Sequence, residues 1–209
     1  MKINLTLPSA RTLLIGVAAF VVAGLLTGGG WYWQATTQQR AMAVYAEAMT
    51  KAQPAQSPDA TGETRAAAIR ELEAALTQYP SGRHAAQVAY LLGNLRFQSQ
   101  QYSQARAAYE LALARGASRT LQTLSRGGVA YTWEAERNYP KAVDAFKAAL
   151  EGLGPKDFFY EELLLGLGRT QELGGQKAEA TATYRRAVTE LPNSRRLDEI
   201  KARLAELGA

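Results

Sequence analysis

The chain has 209 residues, no cysteine and a single histidine, His84. It therefore has no disulfide framework, no thiolate metal site, no cysteine lipid anchor and no metal or nucleophile site built on paired histidines. The net charge of +5 is unevenly placed: no Asp or Glu precedes Glu47, and Lys2, Arg11 and Arg40 put +3 into the first 40 residues. The +2 left for the remainder is no electrostatic footprint for nucleic acid.

Residues 1–11 form a short, basic N-terminus. Thr12 to Leu26, TLLIGVAAFVVAGLL, carries no charge, and the uncharged run continues to Gln39. A helix over 12–33 would be about 33 Å long, enough for a bilayer core. Trp31, Tyr32 and Trp33 close it as an interfacial aromatic belt would. The expectation is a single transmembrane anchor. Lys2 and Arg11 on its N-terminal side put the N-terminus in the cytoplasm and the rest of the chain in the periplasm. The alternative is a signal peptide cleaved after Gly28 to Gly30, leaving a soluble periplasmic protein acting in envelope biogenesis or cell division. The bulky residues after the glycines count against it. The triplet is no phosphate loop, because no Lys-Ser/Thr follows it. Residues 34–62 read as a juxtamembrane helix, Ala35 to Ala52, and a Pro-containing linker, Gln53 to Gly62.

From residue 63 to 209 one spacing recurs. Ala105, Tyr109 and Ala112 return as Ala142, Phe146 and Ala149, and again as Ala180, Tyr184 and Ala187. Ala68, Leu72 and Ala75 are a degenerate earlier copy. Positions i, i+4 and i+7 share one helix face. Twelve residues before each first Ala stands another small residue, Gly93, Ala130 or Gly168. Small residues on both helices allow close crossing, and the aromatic fills the gap between them. Each copy is thus a pair of antiparallel helices. Leu197, Ile200, Leu204 and Leu207 form one apolar stripe, as a C-terminal capping helix needs.

These spacings resemble the tetratricopeptide repeat family over about Arg65 to Ser194. The carriers are Leu92, Gly93, Tyr102, Ala105, Tyr109 and Ala112; Val129, Ala130, Tyr139, Ala142, Phe146 and Ala149; and Leu167, Gly168, Ala180, Tyr184, Ala187 and Pro192. The copies stand 37, 37 and 38 residues apart, longer than the usual 34. Because the spacing within each pair is constant at twelve, the extra residues fall between pairs. Ala89, Arg126 and Leu164 replace the family's usual early tryptophan.

The resemblance implies an all-α fold: one membrane helix, then an α-solenoid of about three full repeats with an atypical first repeat and a cap. It also implies a protein-binding concave face lined by first-helix residues. These are Gln87, Tyr90, Asn94, Phe97 and Gln98; then Leu124, Tyr131 and Glu134; then Glu162, Arg169 and Glu172. Tyr90, Leu124 and Gly128 stand where the carboxylate-clamp variety needs Lys and Arg, so an acidic chaperone C-terminus is not the expected ligand. The layout of anchor and repeats is similar to the membrane-anchored ancillary subunits of the bacterial Sec translocon. The expected function is a scaffold or adaptor on the periplasmic side of the inner membrane, assisting protein export or envelope complex assembly. Its expected partners are envelope proteins, exported chains or chaperones, with the bilayer held through residues 12–33. No catalytic constellation, cofactor, small-molecule substrate or nucleic acid is expected. Gly166-Leu167-Gly168 lies on a first helix, with no preceding strand to make it a dinucleotide loop, and reads as packing glycine.

Overall fold

The computed structural model describes residues 10–82 and 84–209, without the side chains of 10–19 and 21. Among the described residues there are nine α-helices and no strand. They are α1 (Ala10–Ala52), α2 (Gly62–Gln78), α3 (Ala85–Gln98), α4 (Tyr102–Ala114), α5 (Arg119–Ala135), α6 (Tyr139–Leu150), α7 (Tyr160–Leu173), α8 (Lys177–Glu190) and α9 (Leu197–Glu206). Each packs on the next, and α3–α4, α5–α6 and α7–α8 are the three full pairs. The inserted residues lie between pairs, the longest insertion being the 151–159 loop.

The repeated small and aromatic residues form the crossings. Ala105, Ala112, Ala142, Ala149, Ala180 and Ala187 are buried, and so are Tyr109, Phe146 and Tyr184. A Cβ placed on Gly93 would stand 2.6 Å from the Tyr109 ring, and one on Gly168 would stand 2.7 Å from Tyr184. Only hydrogen fits between these helices at those points. The same rings also meet the pair that follows. Gly128 would bring a Cβ within 2.6 Å of Tyr109, and Gly166 within 2.6 Å of Phe146. In Gly166-Leu167-Gly168 the two glycines therefore serve different aromatics, Phe146 of the preceding pair and Tyr184 of its own.

Each full pair turns through one residue in the left-handed region: Gln100 (φ 59°), Arg137 (φ 58°) and Gly175 (φ 76°). This conformation lets the next amide close the first helix, as Gln101 N to Arg96 O (2.8 Å), Asn138 N to Trp133 O (2.9 Å) and Gln176 N to Gln171 O (2.8 Å). Glycine adopts it without the Cβ clash that Arg137 bears. Arg137→Gly is therefore expected to stabilise the protein by about 0.5–1 kcal/mol, raising the melting temperature by about 1–4 °C in a thermal melt.

At the front, α1 runs without a break into the array. Its last turns bury Ala41, Tyr45, Ala48 and Ala52 against α2. The Tyr45 hydroxyl donates to the carbonyl of Tyr79. A 3₁₀ turn, Pro54–Gln56, and the Thr61 cap, whose hydroxyl accepts from Thr64 N at 3.1 Å, connect α1 to α2. At the far end α9 covers α8 with Ile200, which is 1% exposed, while Leu197, Leu204 and Leu207 are partly buried.

Every described side chain from Phe20 to Gln34 on α1 is exposed, including Leu25, Leu26, Trp31, Tyr32 and Trp33. Among the described residues no helix is long and apolar enough to cross a membrane. The side chains at 12–19 and 21, which carry much of the expected span, lie outside the described residues.

Candidate partner groove

The first helices α3, α5 and α7 present equivalent positions side by side. Gln87, Leu124 and Glu162 form one row. Asn94, Tyr131 and Arg169 form another, and Phe97, Glu134 and Glu172 a third. The register follows from the 37- and 38-residue offsets between pairs.

Between α3 and α5 these rows enclose an open cavity of about 220 Å³. Tyr90, Asn94, Phe97, Leu124 and Tyr131, all expected on the concave face, line it together with Tyr109, Gly128 and Phe159. The wall is mostly aromatic. Tyr90 lies 5.8 Å from the Tyr109 ring centre, Phe97 meets Tyr102 edge-on at 5.5 Å, and Tyr131 meets Phe146 edge-on at 5.0 Å. Asn94 is partly committed, because its Oδ1 accepts the Tyr109 hydroxyl at 2.8 Å. Where α6 carries Phe146 in place of a tyrosine there is no hydroxyl to satisfy, and the concave neighbour is the edge of Tyr131. Gln87 pairs with His84 (2.7 Å), and both Gln87 and Gln98 are exposed outside the cavity.

The charged candidates hold the array together. Arg169 Nη2 binds Glu134 Oε1 at 2.8 Å, Thr170 Oγ1 donates to Glu134 Oε2, and the Arg169 guanidinium lies 5.8 Å from the Tyr131 ring. Glu162 accepts the Tyr131 hydroxyl at 2.9 Å and Arg196 of the α9 cap at 2.9 Å. Glu172 accepts the Tyr184 hydroxyl at 3.1 Å and faces Arg203 at 3.8 Å. These links join neighbouring first helices into a ladder from α5 to α9. Burial first, and then the Glu162 carboxylate, push the Tyr131 phenol above its usual range. Burial likewise raises Tyr109 and Tyr184. All three phenols stay protonated at neutral pH and act as donors.

Three cavity residues were not among the sequence candidates. Tyr109 reads as core from its periodicity, yet its ring forms the cavity floor. Gly128 gives that floor its depth. Phe159 sits at φ 69° just before α7, a conformation rare for a bulky side chain, and its ring approaches α5 where a Cβ on Gly127 would stand 3.1 Å away. No periodic signal marks it.

Comparison with known proteins gives one family match. Residues 162–194, which span α7 and α8, match the tetratricopeptide repeat. No curated protein matches the chain, so the likeness of layout to the ancillary Sec translocon subunits gains no support. Repeats of this kind are typically non-catalytic modules that bind other proteins. The matched segment coincides with the third of the three helix pairs, whose geometry the first two repeat. The chain thus contains a tetratricopeptide repeat at 162–194 within an all-α helical repeat array.

Proposed function

We propose that the protein is a membrane-anchored adaptor whose concave groove captures an apolar segment of a partner protein. The observation that carries this reading is the cavity of about 220 Å³ between α3 and α5. Its aromatic side chains come from the first two full pairs and from Phe159 just before the third, and they lose little conformational freedom on binding. Such anchors dominate protein recognition. The charged ladder beyond Tyr131 is already paired within the chain, so it sets the shape of the groove and leaves the aromatic half to take the ligand.

The anchor rests on the sequence and on α1. The uncharged run from Thr12 to Gln39 falls on one continuous helix, and its described apolar residues from Phe20 to Trp33 are exposed. The positive N-terminal flank favours a periplasmic array. Assistance to export and assembly of envelope complexes are the two roles this layout serves.

Leu124→Glu tests the groove. It puts a carboxylate into the cavity at a half-buried position, and a circular dichroism melt reports its cost in stability separately from binding. Affinity purification from membranes in mild detergent should recover a partner with the wild-type chain and lose it at least ten-fold with Leu124→Glu. Equal recovery would remove the groove as the binding face. Translocon subunits and exported chains in the recovered set would assign the export role, and other envelope proteins the assembly role.

A further inference from the structure

We propose that Phe159 is a specificity-determining contact of the groove, its ring standing between two cavities that one partner segment fills together. The inference rests on the groove reading above and adds a second subsite for the same ligand. Phe159 holds φ 69° and ψ 2° at the entry to α7, whereas His84, Ser118 and Arg196, in the same place before α3, α5 and α9, all have negative φ. It is the third residue of a turn that Tyr160 N closes on Asp157 O at 3.2 Å. Glycine suits that position, because a Cβ is strained there. Phenylalanine gains nothing for the turn itself, so what the strained backbone supplies is the placement of the ring. That ring is only partly buried. It leans on α5 at Gly127 and stacks on Phe158 at 5.8 Å.

The ring lines the aromatic cavity between α3 and α5, and it also lines an open cleft of about 640 Å³ between the 151–159 and 191–196 loops. The two differ in chemistry. No residue lining the cavity is charged, since Tyr109 and Tyr131 keep their protons, so a charged group would lose its hydration there without gaining a partner. The cleft is polar, with Asn193, Arg195 and three carboxylates among its lining. Those carboxylates already hold partners within the chain: Arg119 stands 3.8 Å from Asp157, Ser194 Oγ donates to Glu161 at 2.6 Å, and Arg196 binds Glu162 at 2.9 Å. The segment that fits both carries an uncharged apolar side chain for the cavity and a neighbouring polar, uncharged one that hydrogen-bonds in the cleft. Phe159 touches both and sets their spacing.

The test pans the full chain, in mild detergent, against a phage-displayed library of random dodecapeptides. Selected peptides are synthesised with a fluorescein label and titrated by fluorescence polarisation. They are expected to carry a Leu, Phe or Trp with a polar, uncharged residue within about two positions of it, the spacing of side chains on one face of an extended chain. Phe159→Gly should weaken their binding at least ten-fold. Its circular dichroism melt should stay within about 3 °C of wild type, because relief of the strained turn offsets the lost ring contact. Phe159→Tyr keeps the ring and should hold binding within about three-fold of wild type, while Leu124→Glu abolishes it. Peptides that Leu124→Glu loses but Phe159→Gly binds as tightly as wild type overturn the role of Phe159 and leave the groove standing. A larger fall in the Phe159→Gly melt also overturns it, by making the ring a packing residue. Peptides that bind both variants like wild type, or a library that yields none, overturn the groove as well.

Discussion

Gly166→Val is expected to destabilise the protein by about 3 kcal/mol, lowering the melting temperature by about 6–12 °C. Its first added carbon would stand 2.6 Å from Phe146 Cε1 and 2.8 Å from Cζ. Phe146 is fully buried and its ring meets Tyr131 edge-on at 5.0 Å, so it has no free space to retreat into. Relief therefore has to come from α7 moving away from α6, which opens the interface between the second and third pairs. Helix propensity works in the other direction, since glycine is a poor helix former, but it is worth less than about 1 kcal/mol. Gly62→Ala is the matched control: Gly62 has nothing within 4 Å of its Cβ position and opens α2. Its melting temperature should stay level or rise. Equal melts for the two variants would mean that α6 and α7 do not cross at Phe146.

Tyr45→Ala should be the second severe change, costing about 3–5 kcal/mol. Tyr45 is completely buried, fills the space between α1 and the Tyr79–Gly82 turn, and donates its hydroxyl to the Tyr79 carbonyl. Truncation leaves a cavity and an unpaired carbonyl together. Because each helix of a solenoid contacts mainly its neighbours, the damage should be local. Amide exchange should rise sharply over Ala41–Ala52 and in α2, while α7 and α8 keep wild-type protection. Uniform loss of protection along the chain would show that the array unfolds as one unit, and unchanged exchange would show that Tyr45 does not hold α1.

The helix pairs were legible because two periods coincide in the sequence: the i, i+4, i+7 face within α4, α6 and α8, and the constant twelve residues back to Gly93, Ala130 or Gly168. The contacts that tie one pair to the next were harder to read. Gly128 and Gly166 answer aromatics of the preceding pair, so their meaning depends on how pairs stack and not on a face of their own helix. Ala41, Tyr45 and Ala48 repeat the same small–aromatic–small run, but they stand on α1, 27 residues before Ala68 and off the repeat period, because α1 is the helix that pairs with α2 and the other runs lie on second helices. Of the concave candidates, Tyr90, Asn94, Phe97, Leu124 and Tyr131 share one cavity. Glu134, Glu162, Arg169 and Glu172 could be placed on the face by register, yet nothing in their spacing distinguishes a charge waiting for a ligand from one held by Thr170, Arg196 or Arg203. Phe159 depends on a left-handed backbone residue in a loop, which no pattern of apolar residues announces.

The unbroken course of α1 has a mechanical consequence. A flexible linker would let the array sample a wide volume around its attachment point, and its groove would meet partners at a low effective concentration from every direction. A helix that becomes part of the array removes that freedom. Fixing residues 20–33 in any surface leaves the groove free to rotate about the helix axis and to travel sideways with it, but not to tumble. The search for a partner on the same surface is then reduced from three dimensions to two. Torque applied at either end of α1 passes directly to the other, so a tilt of the helix re-aims the groove.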